Sequence, residues 1–303
     1  MRITQRALAV TALQGLNRNQ EAIAKLQAQL TSGKTINKPS DDPTGTNAAM
    51  QTRQELAGAA QYARNINDGI GLLDATDSAL QNMIKQVQNV RALTVKGLNA
   101  GTLSDASATA ISTEVSGIRG SLLGLANSTV QGKPVFGGVT SGSIAYDAAT
   151  GGYQGFGGTS VPPMPVIPVN RQVSDADAIR VDLTGPEAFG DPATGDLFAI
   201  VQAIATDVVA DPAALAGHLE DLDVALNRML AAVADIGTRT NRIETAQQVN
   251  KDLQLSLTSR SSVIENVDLP KTIMNLQMQQ VGYEAALGAT AKAIQPTLLD
   301  FLR

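Results

Sequence analysis

The sequence contains no cysteine, no tryptophan, a single histidine and only 3% aromatic residues. Without cysteine there is neither a disulfide framework nor a thiolate metal site. A lone histidine makes a weak case for a metal or a catalytic base. No basic run is present, and 23 Lys and Arg against 28 Asp and Glu leave a net charge of −5. A surface that tracks phosphates is therefore not expected, and neither is a nucleic-acid partner. No stretch approaches the roughly 18 apolar residues of a membrane span, so membrane insertion is not expected either. The basic start, Met1 to Arg6, precedes an apolar run, Ala7 to Val10, that is too short for a secretory signal; a mature N-terminus is expected. The glycine clusters Gly137-Gly138 and Gly155 to Gly158 do not follow a strand and open a helix as a phosphate loop would. Cofactors and catalytic residues are thus not expected.

What is present is periodicity. Leu222, Met229, Ile236, Ile243, Asn250, Leu257 and Ile264 fall at strict intervals of seven, and beyond Pro270 a second register runs through Ile273, Gln280, Leu287, Ile294 and Phe301. The N-terminal part mirrors this with Leu16, Ile23 and Leu30, then Ala59, Ile66, Leu73, Leu80 and Val87, flanked by Leu56, Ala63, Ile70, Ile84 and Leu98. A sustained heptad buries a narrow seam against partner helices. Leu56, Ile66, Leu73, Leu80, Leu222, Met229, Ile236, Ile243, Leu257 and Ile264 are the candidate core of an intramolecular helical rod. Leu16, Ile23, Leu30, Ile273, Leu287, Ile294 and Phe301 are the candidate assembly seam, because little else in the chain is left to cover them.

The coarse organisation follows. A helix is predicted over residues 3–31, a structured loop over 36–45 and a long helix from about Thr46 to Asn99. Another helix follows Ser104 or Asp105 and stops at Asn127 to Gly132. From 132 to 195 glycines and prolines concentrate, and Ala178 to Leu183 alternates as a half-buried strand does. Val161 to Pro165 reads as an extended loop. Helix returns at Phe198 to Val209, and Asp211-Pro212 starts another. The expected fold is mainly α: an elongated helical bundle or coiled-coil rod built from both chain ends, with a small central β-rich insert. Its parts are an N-terminal arm (1–40), the first half of the rod (41–131), the insert (132–195), the second half of the rod (196–269) and a C-terminal arm (270–303). The run from Leu222 to Ile264 alone would span roughly 60 Å as a helix. An isolated amphipathic arm cannot offset chain entropy of about 1–2 kcal/mol per residue, so both arms are expected to order on assembly.

Polar features have plain structural readings. Asp41 and Asp42, flanked by Ser40 and Pro43, read as turn formers, and His218 as a solvated surface residue. Asn250 and Gln280 occupy seam positions, where they set register or are tolerated as wet spots. Pro270 is either a kink or the start of a separate arm. Phe136, Tyr146, Tyr153, Phe156 and Phe189 are the only support in the insert for a binding module such as a carbohydrate-binding one.

Two separated segments carry a resemblance. Leu30-Thr31-Ser32-Gly33-Lys34-Thr35-Ile36-Asn37 with Pro39-Ser40-Asp41-Asp42-Pro43-Thr44-Gly45, and Gly237 to Glu244 with Ser262 to Leu269 and Ala293 to Leu299, are similar to the two ends of the flagellin superfamily. Asp42-Pro43, the start Met1-Arg2-Ile3-Thr4 and Gly132 to Gly138 resemble the members that join hook to filament, with Pro134 standing where those have tyrosine. The resemblance implies a non-enzymatic, polymerising component of the bacterial flagellum. It would be extracellular, exported through the flagellar channel without a cleaved signal. Implied partners are its own copies in a ring, hook-associated protein 1 beneath, flagellin above and an export chaperone. The same family also contains the filament flagellin, and a non-flagellar oligomeric binding protein is the reading outside it.

Overall fold

The computed structural model describes residues 2–98, 104–140, 142–155, 167–191 and 195–294. In chain order the elements are α1 (Arg2–Ser32), α2 (Pro43–Leu98), α3 (Asp105–Ala126), β1 (Thr129–Val130), β2 (Lys133–Pro134), β3 (Asn170–Gln172), β4 (Ala178–Arg180), α4 (Gly185–Phe189), α5 (Leu197–Ala210), α6 (Leu215–Glu265) and α7 (Leu269–Ile294). Long helices from both ends flank a small region of two antiparallel two-stranded sheets, the mainly α architecture with a β-rich insert expected from the sequence. The chain forms two compact units, one of residues 1–58 with 253–303 and one of residues 59–252.

Local chemistry sets the helix ends. Gly33 adopts φ +68° after α1, the left-handed stop that a side chain would resist. α2 begins at Pro43, three residues before the expected Thr46, because Asp42 caps it: its Oδ1 accepts from Gly45 N at 2.9 Å. A proline in the first turn loses no hydrogen bond, since its N–H would be an orphan there. α6 stops at Glu265 and α7 starts at Leu269, with Asp268 Oδ1 accepting from Lys271 N at 3.1 Å. Pro270 therefore sits in the opening turn of a separate helix.

The second unit holds most of the core. Ala59, Ile66, Leu73, Leu80 and Val87 of α2 are buried, as are Leu222, Met229, Ile236 and Ile243 of α6. α3 packs on α5, and Ile111, Val115, Leu122, Val201, Ile204 and Val208 join the same cluster. The insert is welded to these helices. Asn127, at the end of α3, accepts from the N–H groups of Ala145 and Tyr146 at 2.8 Å each and donates to Tyr146 O. Arg239 donates to Asp182 O, and Arg171 pairs with Asp68 at 2.7 Å. The strand expected over 178–183 is short; β4 pairs with β3 in register Arg171 to Ile179, and Val181 N then bonds to Val169 O.

The insert's aromatics are spent on this core. Phe136, Tyr146, Tyr153, Phe189 and Phe198 are buried, and their rings meet edge-on or tilted at centroid separations of 4.7–6.0 Å. None of these five is free to stack on a sugar, and Phe156 and the Val161–Pro165 loop lie outside the described residues. The Tyr146 hydroxyl is buried with no hydrogen-bond partner among the described residues, and burial pushes its pKa upward. Removing an unpaired buried hydroxyl relieves its desolvation cost, about 1–3 kcal/mol. Tyr146→Phe is therefore expected to raise the melting temperature or leave it unchanged, read by thermal unfolding; a clear loss would reveal a partner for the hydroxyl.

Candidate assembly interface

In the first unit α1 packs against α7. Half-buried along α1 at steps of three and four are Leu16, Asn19, Ile23, Leu26 and Leu30, with Ala12, Ala22 and Gln29 beside them. Those of α7 are Leu276, Gln279, Tyr283, Ala286 and Thr290, at the same steps and preceded by buried Thr272. Polar pairs tie the helices: Gln279 Nε2 donates to Asn19 Oδ1 and Gln20 Nε2 to Tyr283 Oη, each at 2.9 Å. With Lys34 bridged to Asn266 at one end, these pairs make the two helices antiparallel.

The arms thus partly cover each other, which corrects the premise that little else in the chain is left to do so. The side of α7 that packs on α1 is not the one carrying the Ile273 series. Ile273, Gln280 and Leu287, read from sequence as a seam, are exposed. The packed line lies one residue earlier, at Thr272, Gln279 and Ala286, with Leu276 and Tyr283 beside it, and consists mostly of residues that an apolar count passes over. Of the candidate seam, Leu16, Ile23 and Leu30 are on the half-buried side of α1, whereas Ile273 and Leu287 are exposed. Ile294 closes α7, and Phe301 lies outside the described residues.

This arrangement leaves α7 apolar on a second side. Met274, Met278 and Val281 follow one another at helical steps, and they are 57%, 66% and 66% exposed. Val10 and Leu13 of α1 are exposed as well. A helix apolar on opposite faces is characteristic of one buried on all sides, and contiguous exposed apolar surface marks an interaction site.

The ends of the pair are locked by Glu265. Its backbone carbonyl accepts from Thr35 N at 2.7 Å, and Val267 N donates to Gly33 O at 3.1 Å. Its carboxylate accepts from Arg53 Nε and Nη2 at 2.7 and 2.6 Å and from Lys34 Nζ at 2.9 Å. The bidentate Arg53 bond, with Lys34 beside it, holds the carboxyl down at about 2 against the opposing effect of burial. A cleft of about 370 Å³ opens beside this junction, lined by Ile36, Lys38, Pro39 and Met50 among others. Two of its three lining cations, Lys34 and Arg53, are taken by Glu265. Asp41 and Asp42 are turn formers: Asp41 Oδ2 accepts from the N–H groups of Asn37 and Lys38.

The candidate core residues divide between the units. Ile66, Leu73, Leu80, Leu222, Met229, Ile236 and Ile243 are buried in the second unit; in the first, Leu257 is buried while Leu56 and Ile264 are half-buried. Asn250 is buried in line with Ile243 and Leu257, whereas Gln280 faces solvent. The second line of the α2 seam escaped sequence reading: it is Gly69, Thr76, Met83, Val90 and Gly97, not Ala63, Ile70 and Leu98, which are half-buried. Thr76 can be buried because its Oγ1 donates to Leu72 O at 2.7 Å. Gly69 admits close neighbours: a Cβ there would lie 2.6 Å from Ile243 Cδ1 and 3.1 Å from Val181 Cγ1. His218 is not solvated as expected; its Nε2 meets Asp207 Oδ2 at 2.7 Å.

Terminal helices that pair with each other while presenting further apolar faces define a helical subunit built to associate. The family description of the bacterial flagellin N-terminal helical region matches residues 3–140, and that of the C-terminal helical region matches residues 219–302. The chain belongs to the flagellin family. Across nearly its whole length it is similar to flagellar hook-associated protein 3 of Salmonella typhimurium, with 28% identity over 94% of this chain and 95% of that protein. It is also similar to the flagellin of Bacillus subtilis, 27% identical over the full length of both. The crystal structure of Xanthomonas campestris FlgL shares its fold, with a TM-score of 0.61, 16% identity, and coverage of 70% of this chain and 99% of that one.

Proposed function

We propose that this chain is a structural axial component of the bacterial flagellum that forms the junction between hook and filament. The observation that carries this reading is the α1–α7 pair with an unpartnered apolar face on α7, joined to full-length similarity to a hook-associated protein. The subunit makes no chemical step; its work is done by burial. Each exposed Met, Leu or Ile withdrawn from water against a neighbouring copy contributes roughly 1.5–3 kcal/mol. The copies close into a ring that seats on hook-associated protein 1 and receives flagellin, after export through the flagellar channel without a cleaved signal, attended by a chaperone. The arms adopt their paired helices fully in that ring. Ile273 and Leu287 stand beside the Met274–Val281 face and belong to the same intersubunit surface.

The similarity to a complete flagellin supports a second reading, that the chain is the filament subunit itself. Immunogold labelling of purified flagella separates the two. A short labelled zone between hook and filament is expected. Label along the whole filament makes the chain the filament subunit, and unlabelled flagella contradict both.

A further inference from the structure

The chain has no cysteine, so its sulfur chemistry rests on seven methionines. The structure sorts those it describes into two groups. Met83 and Met229 are fully buried in the second unit. Met274 and Met278 are mostly exposed, one helical turn apart on the side of α7 away from α1, and Met50 is exposed on α2. A thioether in that position is open to small oxidants until a neighbour covers it.

We infer that Met274 and Met278 form an oxidation-sensitive site whose conversion to sulfoxide by peroxide prevents the chain from assembling. Each thioether sulfur gives two electrons to hydrogen peroxide; an S–O bond forms as the O–O bond breaks, leaving one sulfoxide and one water. The flexible apolar side chain becomes a polar one that must either stay hydrated or be buried without a partner. Two such groups on one helical face weaken docking by about tenfold or more. Unassembled subunits are vulnerable and assembled ones are shielded, so an oxidant acts at the stage of incorporation. The inference rests on the assembly role proposed above.

The test uses the purified full-length chain and hooks prepared from a strain deleted for its gene. Untreated chain, chain treated with hydrogen peroxide and the double variant Met274→Leu/Met278→Leu are each mixed with hooks, and the bound share is measured by sedimentation. Peptide mass spectrometry reports which methionines carry oxygen. Leucine keeps the volume and apolarity of methionine and cannot form a sulfoxide. Oxidation is expected at Met274 and Met278 before Met83 and Met229. Binding should fall about tenfold or more in the treated wild type and hold in the treated double variant. Treatment with a methionine sulfoxide reductase should restore it. Undiminished binding by chain oxidised at both positions overturns the inference and leaves the assembly role standing. Equal loss in the treated double variant overturns it too, by placing the sensitive thioether elsewhere. Untreated chain that does not bind hooks at all overturns the assembly role, and the inference with it.

Discussion

Ile243→Asp is expected to destabilise the unit of residues 59–252 by about 4 kcal/mol or more, a substantial part of the stability of an ordinary domain. Ile243 is fully buried, and its Cδ1 reaches the space over Gly69 that a Cβ would occupy. Aspartate there forfeits the aliphatic contact, worth roughly 1.5–3 kcal/mol, and places a carboxyl in a seam that offers it no designed partner. Burial favours the neutral carboxyl and so raises its folded pKa above the unfolded value. The variant's deficit therefore grows as pH rises through the carboxylate range and is smallest in acid. Chemical denaturation of the variant and the wild type at pH 7 and pH 4 checks both statements. Leu255→Asp is the matching control. Leu255 lies on the same helix but is 73% exposed, and its replacement should stay within about 0.5 kcal/mol. Unchanged unfolding of the Ile243 variant would mean that the α6 seam is misplaced.

Glu265→Gln should loosen the junction between the loop after α1 and the turn before α7 by about 2 kcal/mol. The carboxyl, normally near 4.5, is held at about 2. That difference corresponds to about 3 kcal/mol, reduced because Lys34 and Arg53 both keep much of their solvent contact. The folded pKa lies below the unfolded one, so the contribution is complete above about pH 4.5 and is lost as pH falls through about 2. The local readout is amide exchange at Thr35 and Val267, whose N–H groups close the junction. At neutral pH both should exchange about thirtyfold faster in the variant. Equal protection would show that the backbone bridge holds without the carboxylate.

The heptads of α2 and α6 were legible because large apolar residues recur there without interruption. Ile66, Leu73, Leu80, Met229, Ile236 and Ile243 are all buried where the period puts them. Legibility ended where packing is carried by small or polar residues. Gly69 and Gly97 sit in the α2 seam because neighbours approach closely, and Thr76 because its hydroxyl bonds to the preceding turn. In α7 the same effect hid the line that packs on α1, one residue before the Ile273 series. The packed line of Thr272, Gln279 and Ala286 is less apolar than the exposed Ile273 and Leu287, so an apolar count picks the exposed residues. Glu265 and Lys34 lie in the two segments that carry the resemblance, but nothing in the sequence pairs them. Lys34 and Arg53 lie more than two hundred positions from Glu265, and only the return of the chain brings them together.

The insert illustrates a different limit. The resemblance to the flagellin superfamily implies that losing much of residues 140–190 leaves assembly intact. Yet Tyr146, Tyr153, Ile179, Val181, Leu183 and Phe189 belong to the same buried cluster as α3, α5 and α6. Their removal would uncover the helices they pack on. Strands of two or three residues carry too little alternation to announce that they complete a helical core.

The central claim is that this chain forms the junction between hook and filament, and deleting its gene in the bacterium that encodes it tests that claim most directly. Electron microscopy of the cells, together with the protein content of the medium, is the measurement. Bare hooks with filament subunits shed into the medium are the expected result. Normal flagella would contradict the junction role, and so would loss of filaments without any shed subunits, which would make this chain the filament subunit itself.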